Sequence, residues 1–271
     1  MKNLFCIILS IFLLISCDVV KSPTNYRNNP YDVNNPEYTP PVVNIIDGPN
    51  DGETINVDSV TVRWQGSNNA EEYRFKLNNK DWTPWNDTCS TDLKYLDDGE
   101  YLFKVQARVK NSSDKIGQID SLKFTVNAIT GPAIIFYPKY KRVGINKEFN
   151  VDLLANEVEN LSIFKLIINY SEGLKIDSIS LNEEFILQNG GRIIKFIEIK
   201  NEDKTASINI GITESNSPEI NGSDKIATLH LHNYSKNNKF ISFSSESQAR
   251  DKTNEPIGIN FNEMCRIIVK D

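Results

Sequence analysis

A chain of 271 residues, 39% hydrophobic and 24% charged, is long enough for one large domain or two ordinary ones and can bury substantial cores. Its formal net charge of -6 argues against nucleic acid as a partner, because that requires clustered positive charge. Only two His and two Met occur, so little imidazole is available for acid–base or metal chemistry.

The chain opens with MKN and then LFCIILSIFLLI, residues 4 to 15. One positive charge followed by an apolar run of this length fits a signal-peptide core, and a mature membrane-spanning helix needs about 20 residues. LISC, residues 14 to 17, resembles the lipobox of bacterial lipoproteins: an aliphatic residue, a spacer, a small residue, then Cys. The resemblance implies that residues 1–16 are a signal peptide and that Cys17 is the lipid attachment site, left as the new N-terminus after cleavage. A multiply acylated Cys suits stable anchoring in a bilayer, which takes about two buried chains. The expected location is extracytoplasmic and lipid-anchored to a bacterial membrane, at the outer membrane or cell surface. An ordinary signal peptide with a chance Cys, or a retained helix, are the alternatives.

DVVKSPTNYRNNPYDVNNPEYTPP, residues 18 to 41, is rich in Pro, Asn and charge and has no apolar period. Pro30, Pro36, Pro40 and Pro41 disfavour helix and central strand. Residues 17–41 therefore read as the lipidated Cys and a flexible, semi-extended tether that reaches at most about 80 Å from a membrane.

Residues 42–128 form a run of short strands: VVNII, SVTVRW, YRFKL, EYLFKVQARV and SLKFTV, separated by turn signals. This spacing is the signature of a β-sandwich. In the fourth strand Tyr101, Phe103, Val105, Ala107 and Val109 share one face, and Leu102, Lys104, Gln106 and Arg108 share the other. LDDGEYLFKVQARV resembles the tyrosine-corner region of fibronectin type III and immunoglobulin-like domains, which implies that the Tyr101 hydroxyl ties the corner. Asp97, Asp98 and Glu100 either bind calcium or form a solvated turn in which Gly99 supplies backbone freedom. Trp64 belongs to the core. Trp82 and Trp85, in DWTPW, either form a platform for sugar rings or pack against the neighbouring strand.

ITGPAI, residues 129 to 134, marks a boundary, and residues 132–271 are again strand-like. The segments are AIIFYP, FNVDLLA, SIFKLIINY, LKIDSISL, RIIKFIEIK, ASINIGI, KIATLHLH, KFISFSS and CRIIVK, with no sustained helical period. Such a series suggests a larger sandwich of jelly-roll type. VGINKEFNVDLLANEVENLSIFKLIINYSEGLKIDSISL, residues 143 to 181, is similar to the N-terminal half of cohesin domains and the related carbohydrate-binding-module sandwiches. The resemblance is carried by Phe164, Leu166, Ile168 and Tyr170, followed by Leu174 and Ile176, and by DKIATLHLH later on. Ser171-Glu172 departs from the family's Asp-Pro, and the approach to the late strand has only Gly222. The expected fold class is thus all-β: two tandem β-sandwiches, immunoglobulin-like and then cohesin-like, after a signal peptide and tether.

Phe164, Leu166, Ile168 and Tyr170 face the core on this reading, and Ile163 and Ile167 face outward beside Lys165 and Asn169. RIIKFIEIK sets Ile194 and Phe196 on one side and Ile193, Ile197 and Ile199 on the other. A free sheet face is normally polar, so apolar residues on both sides imply cover. The first domain, the loop NEEFILQNGG or a protein partner could supply it, as dockerins do on one sheet face of cohesins; β-branched residues are also favoured in strands for their own sake. The candidate partner-binding face is Ile163, Ile167, Ile193, Ile197 and Ile199.

Chemistry beyond binding finds few residues. His230 and His232 either hold a metal or face solvent while Leu229 and Leu231 fill the core. Cys89 and Cys265 either form a disulfide or are two isolated buried thiols. No G-x-S-x-G, P-loop, dinucleotide fingerprint or EF-hand loop occurs. The expectation is a non-enzymatic lipoprotein without metal or other cofactor. It would hold an extracytoplasmic protein at the envelope, with polysaccharide binding or a purely structural role as alternatives.

Overall fold

The computed structural model describes residues 32–35, 37–214 and 218–270. The expected signal peptide, Cys17 and most of the tether lie outside the described residues. The chain is all-β: among the described residues the regular elements are strands β1 to β18 and one short helix, α1. By internal contacts it divides into two compact units. Of the described residues, the first holds those up to Ile46, Trp64–Cys89 and Phe103–Ser121, and the second holds Asp47–Arg63, Ser90–Leu102 and those from Leu122 on.

In the first unit, β4 (Glu72–Leu77) pairs antiparallel with β6 (Gly99–Arg108), from Glu72↔Arg108 to Leu77↔Phe103. Alternation buries Tyr73, Leu77, Phe103, Val105 and Ala107, as the β6 pattern predicts. Trp64, on β3 (Val60–Gly66), is 2% exposed and packs its ring against Tyr73, Phe75 and Phe103 at 6.3, 5.8 and 5.9 Å. Residues at the expected end of the tether are tied down here. The Asn69 amide donates to Thr39 O (2.8 Å), and Val42 N donates to Ser67 Oγ (2.9 Å). A Cβ on Gly117 would stand 1.8 Å from Pro41 O, so only glycine allows that segment to lie so close.

In the second unit, β2 (Glu53–Ile55) runs parallel to β7 (Ile116–Val126), and β3 pairs with β5 (Ser90–Leu93). β1 (Val43–Asp47) precedes these strands in the chain. β2 and β5 were not foreseen, because three or four residues are too few to display an alternation. The Tyr101 hydroxyl donates to Asp97 O at 2.9 Å, and its ring stacks on Phe124 at 5.4 Å. The acidic turn is not the solvated one expected. The Asp98 carboxylate accepts the Ala128 (2.9 Å) and Ile129 amides, and Asp97 Oδ1 accepts the Lys139 amide (2.8 Å). Backbone donors that follow β7 need acceptors, and these carboxylates supply them. Gly99 sits at φ +141, a conformation that side chains resist.

The rest of the second unit is a two-sheet sandwich. One sheet orders β12 (Leu174–Leu181), β15 (Ile220–Asn233), β10 (Lys147–Leu161) and β8 (Ala133–Tyr137). The other orders β13 (Arg192–Lys200), β14 (Thr205–Thr213), β11 (Ile163–Tyr170), β16 (Lys239–Phe243), β18 (Met264–Lys270) and β9 (Tyr140–Gly144), and β17 (Gln248–Arg250) also pairs with β11. All nine segments expected between residues 132 and 271 are strands, and β9 and β17 add to them. Phe164, Leu166 and Ile168 of β11 meet Val151, Leu153 and Leu229 in one core, each at most 1% exposed. A side chain buried that fully contributes roughly 1.5–3 kcal/mol. The loop after β12 forms α1 (Glu183–Ile186), capped by Asn182, and sets Ile186 into this core at 1% exposure. It therefore plugs the sandwich and does not cover its outer face.

Candidate functional site

Cross-strand register decides which side chains share the outward face of β17, β11, β14 and β13. Ile163 lies opposite both Gly211 and Arg250, and Gly211 lies opposite Ile194. The next outward row is Gln248, Lys165, Asn209 and Phe196. At about 4.8 Å per strand, the Ile163 and Ile194 backbones are about 10 Å apart with a glycine between them. A Cβ built on Gly211 meets nothing within 4 Å. The result is an open groove of ≈ 440 Å³ with Gly211 on its floor and Ile163, Ile194 and Phe196 on its walls.

These walls are apolar and uncovered. Ile194 is 63% exposed, Phe196 62% and Ile163 37%. Phe240 of β16 and Met264 of β18 are exposed as well. The charged residues lining the groove are Lys165 and Arg250. Lys165 reaches the exposed Glu246 at 3.9 Å, and Arg250 donates to Asn254 O and Gln248 Oε1. A glycine inside a strand weakens it and commonly marks a place where another group approaches closely. Gly211 interrupts ASINIGI, and that interruption was the available sequence signal for this site.

The β11 half of the expected face is where alternation put it. Ile163 is exposed and Ile167 half-buried on the outer side, while Phe164, Leu166, Ile168 and Tyr170 are buried. The β13 half is reversed. Ile193, Ile197 and Ile199 are partly buried against the sandwich core, and Ile194 and Phe196 point outward. The cause is the register: Ile193, Ile197 and Ile199 lie opposite Ile212, Ile208 and Ala206, all buried, and opposed residues share a face. Both faces of RIIKFIEIK are apolar, so its own sequence could not say which one turns inward.

Trp82 and Trp85 do not form an open sugar platform. Arg74 Cζ lies 4.7 Å from the Trp82 ring centre and 4.5 Å from that of Trp85. Lys76 Nζ is 5.1 Å from the Trp82 ring and Arg108 Cζ 4.5 Å from the Trp85 ring. The rings and cations alternate, so the surfaces a neutral sugar would stack on carry cations. His230 is held between Asn150 Oδ1 and Ser180 Oγ, each at 3.0 Å, and His232 stacks on Tyr234 at 4.1 Å. Among the described residues no group of three or more His, Cys, Asp or Glu is placed to hold a metal. Cys89 and Cys265 are both free thiols; Cys265 is buried, but Cys89 is exposed, contrary to the expectation of two buried thiols. Burial, with Asp97 nearby, pushes the Cys265 thiol up to about 12, which leaves it unreactive.

No family model and no curated protein matches the chain. Among solved structures, it is similar to a non-cellulosomal cohesin from Archaeoglobus fulgidus, at 11% identity and a TM-score of 0.42 over 51% of this chain and 91% of that one. It is also similar to a type I cohesin–dockerin complex from Clostridium thermocellum (11%, 0.42, 51% and 98%). A type II cohesin domain from the cellulosome of Acetivibrio cellulolyticus is a third (10%, 0.40, 50% and 94%). At these values the likeness assigns no function.

Proposed function

We propose that this chain is a non-catalytic binding lipoprotein, anchored in a bacterial membrane through Cys17, that holds a protein partner at the cell envelope. The partner docks on the outward face of β11, β14 and β13. The observation that carries this reading is the groove over Gly211: an open floor between Ile163 and Ile194, with Phe196 62% exposed beside it. Large apolar side chains gathered on one uncovered face of a sheet mark an interaction surface. The resemblance of residues 143 to 181 to cohesins favours a protein over other occupants. The lipobox-like LISC supports the anchor, and the Pro- and Asn-rich segment after it supports a spacer from the membrane.

Gly211→Arg tests the docking surface directly. The new side chain enters open space from a strand position that needs no special backbone angle, so the fold is retained. Immobilised wild-type chain captures a partner from the source cell's envelope and secreted proteins. The Gly211→Arg chain, with an unchanged circular dichroism spectrum, does not. Capture of the same proteins by both chains overturns the assignment of the groove. In parallel, Cys17→Ser moves the protein from the membrane fraction to the soluble fraction; a variant that stays with the membrane refutes the anchor.

A further inference from the structure

The outward face of β4 and β6 carries an unbalanced set of cations. The register sets Lys76 directly opposite Lys104, an arrangement of like charges that costs stability. Arg74 follows on the same face of β4, two residues before Lys76, and its guanidinium donates to Gln106 Oε1 at 3.1 and 2.7 Å. The carboxylate of this strip, Glu72, is taken by Arg108 Nε at 2.6 Å. Among the described residues, Arg74, Lys76 and Lys104 form no ion pair, in a chain whose net charge is -6. The alternation of Lys76, Trp82, Arg74, Trp85 and Arg108 holds the cations in a line. Their orientation is therefore fixed before any ligand arrives.

We propose that this strip binds a linear acidic polysaccharide whose successive carboxylates engage Arg74, Lys76 and Lys104. A fixed row of mutually repelling cations is relieved by an anion. A polymer with one charge per unit satisfies several of them in one event, which a small anion does not. All three cations are half-buried, Arg74 and Lys76 against the rings of the 82–85 loop and Lys104 across the strands from Lys76, and they make a row along which an extended chain lies. The half-exposed indoles add apolar contact at their edges, and their faces remain occupied by cations. This site is separate from the groove over Gly211 and does not depend on it.

The test uses the full chain with polygalacturonate as the probe, dextran as the neutral control and phosphatidylglycerol vesicles as the lipid arm. The expected result is binding to polygalacturonate alone, weakening as salt is raised. Lys104→Glu gives Lys76 an opposite charge across the strands. It weakens binding about tenfold or more, while the unfolding midpoint stays level or rises. Lys236→Glu, an exposed control carrying the same change in net charge, leaves binding unchanged. The proposal is overturned by absence of polygalacturonate binding, by equal loss in both variants, or by vesicle binding of equal strength that Lys104→Glu removes.

Discussion

Thr substitutions at two neighbouring positions of β13 test the register that defines the groove. Thr is β-branched, so strand preference is kept at Ile197 and nearly kept at Phe196. Ile197 is partly buried and lies opposite Ile208, which is 0% exposed. Ile197→Thr removes about two methyl-sized groups at about 0.8 kcal/mol each and turns a hydroxyl toward the core, for a total of about 2–3 kcal/mol. Phe196 is 62% exposed, so Phe196→Thr forfeits only the remaining contact, about 1 kcal/mol or less. Each kcal/mol moves the melting midpoint by about 2–4 °C for a body of this size. Urea unfolding followed by far-ultraviolet circular dichroism is the suitable assay, because Trp64, Trp82 and Trp85 all lie in the first unit and do not report on β13. The slope with urea should not change, since the surface exposed on unfolding is the same. A greater loss from Phe196→Thr than from Ile197→Thr would refute the reasoning: β13 would then pair with β14 one residue out of register, with Ile193, Ile197 and Ile199 outward.

Further outcomes follow from the corner and from the buried acids. Tyr101→Phe removes the hydrogen bond to Asp97 O while keeping the stack on Phe124, and should cost about 1–2 kcal/mol in the same assay; an unchanged midpoint would show that the corner hydroxyl contributes nothing. Burial pushes the Cys265 thiol and the Tyr101 and Tyr170 phenols up to about 12. In the unfolded chain they ionise near about 8.5 and 10, so above those values the unfolded state holds fewer protons and stability falls with rising pH. Lys239, held low by burial, acts in the opposite sense and offsets one proton at most. The urea midpoint should decline from about pH 9, and Cys265→Ala should delay the decline to about pH 10; a level or rising midpoint between those values and about pH 11 would contradict the burial of these groups.

Strand order along the chain was legible because side chains alternate with period two. The run from Tyr101 to Val109 and the run from Phe164 to Tyr170 each announce one inward face, and the structure buries Phe103, Val105 and Ala107 of the first and Phe164, Leu166, Ile168 and Tyr170 of the second. β2 and β5 were not legible, since three- and four-residue strands take their direction from the neighbour they bond to. The role of Asp97 and Asp98 was also hidden: their carboxylates serve backbone amides 30 or more residues away. Trp82 and Trp85 carried either a platform or a packing role until Arg74 was placed between them.

By itself, then, the sequence determined an all-β chain, the nine long strands after residue 132 and the inward face of β11, because each follows from local alternation and turn chemistry. It also carries the lipobox-like LISC at the N-terminus. Only the tertiary structure decided which face of β13 turns outward, and with it the position of the groove. RIIKFIEIK is apolar on both sides, and a one-residue slip in its pairing exchanges them. The pairing of Ile197 with Ile208 and of Ile194 with Gly211 settles the choice. It sends three isoleucines into the core and leaves Ile194 and Phe196 exposed above a glycine.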